Sequence, residues 1–371
     1  MKKVMLIAAS AFIFSGVAQA APENVSGPGV EASCFKPWDA DTKHFKYKAK
    51  KGPYKVALAN GFIANSWRIQ MIQTAKAYAE QPEVKKLIKE FKVISTGEDL
   101  PAQVAAVENF INSGYDAVIV NALNPAAFKP VVKKANRAGV ILLSFDNVIE
   151  SPEALMVNVD QVEIGRQMAR FLIEKVKKAD AKVIEVRGPS GNSVDRDRHN
   201  GFHEALKKKG VKWEIVETVG KWDDGTAQKA VADAIAVHKK FDGIYVQAGS
   251  TGAVRALIDA KHAMIPVAGE TENGFRKLCG KHGNAGLHCA SSGTGPAQVA
   301  VTIKAALAAL QGNVLPQAIK LPISTTVTPD FKDGKNYFSN LSDNFFVGNA
   351  FPDCKIGFTA KEIKAQSKDN N

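Results

Sequence analysis

A chain of 371 residues is long for one hydrophobic core and suits two domains. Its apolar fraction of 45% is ordinary for a globular protein. The formal charge of +12 raises a nucleic acid or an anionic surface as partner. The lysines, however, sit on helix faces and near the ends, as in Lys207-Lys208-Lys209, with no basic arm interleaved with aromatics, which argues against nucleic acid.

In chain order, Lys2 and Lys3 precede an uncharged apolar run, Val4 to Val17, and then the small-x-small pattern Ala18-Gln19-Ala20. This reads as a cleaved signal peptide over 1–20, with Ala21 as the mature start and the periplasm as the destination. The run is too short to span a bilayer comfortably, and no cysteine follows it to carry a lipid. Residues 21–53 form a polar leader containing Pro and Gly. From Tyr54 onward, short Val- and Ile-rich runs alternate with amphipathic segments. The strands are expected at Lys55–Ala59, Phe91–Ser95, Ala117–Asn121, Val140–Phe145, Leu155–Val159 and Lys182–Arg187. They continue at Trp213–Thr218, Gly243–Val246, Ile265–Ala268, Leu287–Ser291 and Ala318–Val327. Between them, Val104, Val107 and Ile111 repeat at helical spacing, as do Ile164, Met168, Phe171 and Leu172.

Runs buried on both faces and separated by helices predict parallel sheets covered on each side. The series is too long for one sheet. The expected fold is therefore α/β, with two doubly wound, Rossmann-like parallel-sheet lobes joined by a three-crossing hinge. One lobe takes 54–158 plus 293–323, and the other takes 159–292 plus 324–371 with the tail. The crossings are expected near Asn158–Asp160, Ser292–Thr294 and Ile323–Thr325.

Ligands of open parallel sheets bind beyond the carboxyl ends of the strands. The residues that follow strands here include Asn65, Trp67, Asp146, Asn147, Arg198, Trp222, the stretch Gln247-Ala248-Gly249-Ser250, and Glu270. Arg68, Arg196 and Ser291 are secondary candidates; the two arginines read equally as solvated side chains. The set suits a sugar: carboxylate, amide and guanidinium groups match hydroxyls, and indoles match the apolar ring faces. Taken singly, Asn65 and Asp146 read equally as helix caps, and Trp67 and Trp222 as core residues.

The four cysteines of an exported chain read as two disulfides, for which three pairings are open. Cys279–Cys289 is favoured because it closes a Gly-rich, hairpin-like segment; this leaves Cys34–Cys354 to tie the two ends together. A zinc site using His282 and His288 between the near pair is the rival, and no metal or cofactor is expected. His199 and His203 stand four apart on a helix, but the HExxH order is absent. An enzyme on the same fold is the alternative class. Neither Ser292-Gly293-Thr294-Gly295-Pro296 nor Gly188-Pro189-Ser190-Gly191 completes a nucleotide-binding glycine motif, and no Ser or Cys pairs evidently with a His. A binding protein for a non-sugar polar ligand or signal molecule is a further alternative.

The chain resembles the type I periplasmic solute-binding proteins of sugar ABC importers, nearest to the ribose-binding branch. The resemblance runs from about Tyr54 to Val327. It rests on Asn65-Ser66-Trp67, Gly114-Tyr115-Asp116-Ala117, Leu143-Ser144-Phe145-Asp146, Arg196-Asp197-Arg198-His199-Asn200-Gly201-Phe202 and Phe241-Asp242-Gly243-Ile244-Tyr245. It implies a monomer that is no enzyme, binds a monosaccharide or polyol between its lobes, and delivers it to an inner-membrane permease. Docking to a chemoreceptor is compatible with that role. By resemblance Asn65, Asp146 and Arg198 hydrogen-bond the ligand, and Trp67 and Trp222 cover its ring faces. Asp146-Asn147, Arg68, Ala248 and Glu270 stand where the ribose-type site has other residues, which implies a rebuilt pocket.

Overall fold

A computed structural model describes residues 21–63 and 65–371; the signal-peptide reading falls on residues outside these. Two short strands, β1 (Glu23–Val25) and β2 (His44–Lys46), come from the leader. The first lobe follows as β3 (Tyr54–Asn60), α1 (Ser66–Ala79), α2 (Pro82–Lys85), β4 (Ile88–Ser95), α3 (Leu100–Asn112), β5 (Ala117–Asn121), α4 (Lys129–Ala138), β6 (Ile141–Phe145) and β7 (Leu155–Val159). The second lobe holds α5 (Gln161–Val176), β8 (Lys182–Arg187), α6 (Ser193–Lys208), β9 (Glu214–Val219), α7 (Asp224–His238) and β10 (Gly243–Val246). It continues with α8 (Ser250–Asp259), β11 (Val267–Gly269), α9 (Asn273–His282) and β12 (Cys289–Gly293). Then come α10 (Gln298–Leu310), β13 (Val314–Pro316), β14 (Ala318–Leu321) and β15 (Ser324–Val327). The tail adds β16 (Ala350–Phe351), β17 (Ile356–Gly357) and α11 (Ala360–Lys364).

Each lobe is built on a six-stranded sheet, with orders β14-β7-β6-β5-β3-β4 and β15-β12-β11-β10-β8-β9. The first sheet is parallel throughout. The second is parallel except where β15 runs against β12. Central strands such as β5 and β6 are buried along their whole length, as expected of strands covered by helices on both faces. Side chains of Asp99, Asp160, Asn192 and Asp223 cap α3, α5, α6 and α7, fixing where each helix starts beyond its strand.

The chain leaves the first sheet after β7, returns to the first lobe between β12 and α10, and crosses again between β14 and β15. These are the three expected places, and two details differ. The single strand expected at Ala318–Val327 is two: β14 pairs with β7 of the first sheet and β15 with β12 of the second. Pro322 lies between them and has no N–H to continue a ladder. The strand expected at Leu287–Ser291 begins at Cys289, because Gly283–Ala285 form a 3₁₀ turn and Gly286 takes φ +95°.

The tail corrects the expected boundaries. It first stays on the second lobe, where Phe331 enters its core and Tyr337 packs against it. It then crosses back as a fourth connection. Gln70 of α1 bonds Phe346 and Asn349, and Asn371 Oδ1 accepts from Val93 N–H of β4 at 2.7 Å. Phe351 and Ile356 bury in the larger core, which gives the tail its reason to return. The leader also has a place: β2 pairs with β1 on one side and β13 on the other.

The cysteines pair as Cys34–Cys354 and Cys279–Cys289, so the zinc alternative falls away. The near pair joins the end of α9 to the start of β12 across a 3₁₀ turn, rather than closing a hairpin. No helix among the described residues is long and apolar enough to cross a membrane.

Candidate functional site

The carboxyl ends of the two sheets face each other across a cleft. Its inner cavity, about 390 Å³ of atom-free space partly open to solvent, is lined from the first lobe by Asn65, Trp67, Arg68 and Asp146. Arg198, Trp222 and Glu270 line it from the second lobe, with Val194, Ala248 and the tail residue Phe346. A wider mouth shares Arg68 and Trp222 with this cavity. Glu150 of the first lobe and Arg196 of the second approach to 3.5 Å.

On the first lobe, Asp146 follows β6 in the left-handed region at φ +58°, a conformation that costs energy for a residue with a side chain. Its Oδ2 lies 3.5 Å from Arg68 Nη2 and accepts from Asn147 Nδ2 at 2.8 Å and Asn121 Nδ2 at 3.4 Å. Among the described residues every side-chain partner of Asp146 falls on Oδ2, which leaves Oδ1 available to accept. Arg68 Nη1 donates to Asn60 Oδ1 at 2.8 Å. Burial pulls the Arg68 guanidinium below its ordinary pKa, against the opposing pull of Asp146. Asn65 is the helix cap weighed for it, its Oδ1 accepting Arg68 N–H of α1 at 2.9 Å, and it also borders the cavity.

On the second lobe, the buried Arg198 guanidinium is fixed on three sides. Nε donates to Gln161 Oε1 at 2.8 Å, Nη1 donates to the Gln247 carbonyl at 2.7 Å, and Nη2 meets Glu270 Oε2 at 2.8 Å. Burial works against its charge, but the surrounding negative groups, Glu270 foremost, together raise the guanidinium above its ordinary pKa. Trp222, also at φ +58°, anchors its indole N–H on Gln247 Oε1 at 3.2 Å. Gly188 leaves room for that indole: a Cβ there would lie 2.3 Å from the ring.

Six of the seven principal candidates thus meet in one cavity. Asn147 stands behind it, fully buried against Asn121 and Asp146, and is a support for Asp146. Of the secondary three, Arg68 is 3% exposed and central rather than solvated. Arg196 points outward to Asp197 and Glu150 because its neighbour Arg198 occupies the inward face of α6. Ser291 is buried away from the cavity, accepting from Arg276 Nε at 2.8 Å and donating to the Glu270 carbonyl at 2.8 Å. Sequence reasoning missed Val194 and Phe346. Val194 opens α6 just before the Arg-x-Arg stretch and was within reach; Phe346 follows no strand of either sheet.

This geometry defines a cleft-type binding protein: two parallel-sheet lobes, hinge strands, and polar and indole groups converging between them. A model of the periplasmic binding protein domain matches residues 56–313, and the chain belongs to that family. It is 32% identical over 130 residues to a ribose import binding protein of Bacillus subtilis, covering 35% of this chain and 42% of that one. It is 26% identical over 219 residues to a D-ribose/D-allose-binding protein of Pseudomonas aeruginosa, covering 54% and 66%. The chain thus spans less than two thirds of the length of these curated relatives. Among solved structures, an ABC transporter solute binding protein from Thermobispora bispora superposes with a TM-score of 0.70 at 25% identity, covering 85% of this chain and 95% of that one. A galactofuranose binding protein shares the fold with a TM-score of 0.66 at 21% identity, covering 74% and 94%.

Proposed function

We propose that this protein is exported, matures at Ala21, and closes its lobes on a neutral monosaccharide or related polyol for delivery to an ABC permease. It acts by binding alone, as a monomer. The observation that carries this reading is the charge balance of the cavity. Each lobe contributes one arginine held by one carboxylate, Arg68 with Asp146 and Arg198 with Glu270. The wall is therefore neutral in sum and rich in strong donors and acceptors, which suits hydroxyls and penalises a charged ligand. Trp67 and Trp222 supply flat apolar surfaces for ring faces. The names of the relatives, which bind ribose, allose or galactofuranose, agree with this chemistry. Contact with both lobes only in the shut form is what shifts an open ensemble toward closure.

Thermal-shift measurement against a panel of neutral pentoses, hexoses, furanoses and polyols, alongside sugar acids and amino acids, tests it, because a bound ligand raises apparent stability. A neutral sugar or polyol is expected to raise Tm and, by small-angle scattering, to compact the protein. Stabilisation by charged ligands alone would overturn the reading.

A further inference from the structure

Outside the cleft, the second lobe carries a cluster that sugar binding does not use. Glu185 lies mid-strand on β8, fully buried, and is paired in register with Glu217 on β9. The two therefore share a sheet face, which α6 covers. His199 and His203, one helical turn apart on α6, both reach this face. His199 Nδ1 stands 3.0 Å from Glu185 Oε1 and 3.2 Å from Oε2, and His203 Nε2 stands 2.7 Å from Oε2. One ligand atom from each of Glu185, His199, His203 and Glu217 falls within 4.8 Å of the others.

We propose that Glu185, His199 and His203 form a binding site for a borderline divalent cation such as zinc, with Glu217 as fourth ligand. Around a tetrahedral zinc with bonds of 2.0–2.1 Å, neighbouring donors lie about 3.3 Å apart. The His199 donor already stands within about 0.3 Å of that spacing from either Glu185 oxygen, and His203 Nε2, at 2.7 Å from Oε2, needs to move outward by about 0.6 Å. Two imidazoles with carboxylate oxygens form a donor set that zinc accepts. The charge count agrees. Glu185, Glu217 and Asp195 surround a single guanidinium, Arg187, whose forks reach Asp195 at 2.7 Å and Glu217 at 2.8 Å. With neutral imidazoles the cluster carries two unmatched negative charges, which a divalent cation cancels. Metal entry draws the half-exposed Glu217 from Arg187, which keeps its bidentate hold on Asp195. The imidazoles are partly exposed, at 24% for His199 and 37% for His203, so a cation reaches them from solvent without the lobes moving.

Isothermal titration of tag-free, chelator-treated protein with zinc chloride tests the site, with cobalt(II) absorption reporting geometry. One equivalent of zinc is expected, and cobalt is expected to give the intense visible bands of a four-coordinate site. His203→Gln should weaken zinc by at least about a hundredfold, since even outer-shell losses cost 10–100-fold. Glu217→Gln, at a half-exposed position that leaves the fold intact, should weaken it by about tenfold and change the cobalt spectrum. Absence of stoichiometric zinc uptake by the parent overturns the site. So does uptake that both variants leave unchanged, which would place the metal at other histidines.

Discussion

Phe346 and Gln70 hold each other by two bonds: the Phe346 N–H donates to Gln70 Oε1 at 2.8 Å, and Gln70 Nε2 donates back to the Phe346 carbonyl at 2.9 Å. The residues are 276 apart in sequence. The clamp binds the tail to α1, the helix whose first turn carries Arg68. It also seats the Phe346 side chain in the cavity wall.

Phe346→Ala keeps the clamp, because both bonds use its backbone, and removes only the wall. Ligand affinity should fall by about tenfold, the equivalent of about 1.4 kcal/mol, while Tm moves by only a few degrees. Gln70→Ala does the reverse. It frees the tail, and hydrogen exchange at Phe346 and Val347 should rise. Titration calorimetry and exchange on the two variants separate the effects; equal behaviour would show that Phe346 does not meet the ligand.

Asp146→Asn removes the charge but keeps the shape and an acceptor. Charged hydrogen bonds are worth about 1.5–3 kcal/mol each, so binding of the identified sugar should weaken at least tenfold. Asp146→Ala should also lower Tm, because the buried Arg68 loses its counter-charge. Trp222→Ala should cost similar affinity with a smaller loss of discrimination between sugars. Parent-like binding by both Asp146→Asn and Trp222→Ala would place the ligand elsewhere.

Gly201→Ala should disturb both stability and binding. A Cβ at Gly201 would lie 1.9 Å from the Val162 carbonyl, and one at Gly165 would lie 2.1 Å from the Arg198 carbonyl. The two glycines let α5 and α6 cross backbone to backbone, and α6 carries Arg198. Forcing the helices apart costs about 1–3 kcal/mol and shifts the guanidinium away from Gln161 and Glu270. Chemical denaturation together with ligand titration measures the two effects; an unchanged midpoint would contradict the crossing.

The two disulfides should contribute unequally. Their sequence separations are 320 for Cys34–Cys354 and 10 for Cys279–Cys289. On the chain-entropy account these correspond to about 6 and about 3 kcal/mol. Paired Cys→Ser variants melted side by side should show the larger loss for the long link, and alkylation without reduction should label no cysteine in the parent.

The two-lobed fold was legible because central strands such as Ala117–Asn121 and Leu155–Val159 are short, mostly apolar runs between helical patterns; both appear with the expected bounds. The principal site residues were legible because the carboxyl-edge rule needs only strand ends. It misjudged Arg68 and Asn147 because the sequence gives a residue's place after a strand but not its depth. Arg68 is drawn inward by Asn60 and Asp146, and Asn147 turns back toward Asn121. The tail stayed opaque for a different reason. Its apolar residues bury at separate places, Phe331 in the second lobe's core, Phe346 in the cavity wall, and Phe351 and Ile356 in the larger core, and leave no period to read.

The Cys34–Cys354 link also governs how the molecule responds to force. Pulled from its two ends, the chain is short-circuited by that bond, and only the segments outside Cys34 and Cys354 can extend. The enclosed 320-residue span, on the order of 1,100 Å at about 3.5 Å per residue, remains untensioned until the sulfurs part. Both sheets, the cleft and the hinge lie inside that span, so once the end segments have peeled away from α1 and β4, further load at either terminus falls on the disulfide and bypasses the binding site.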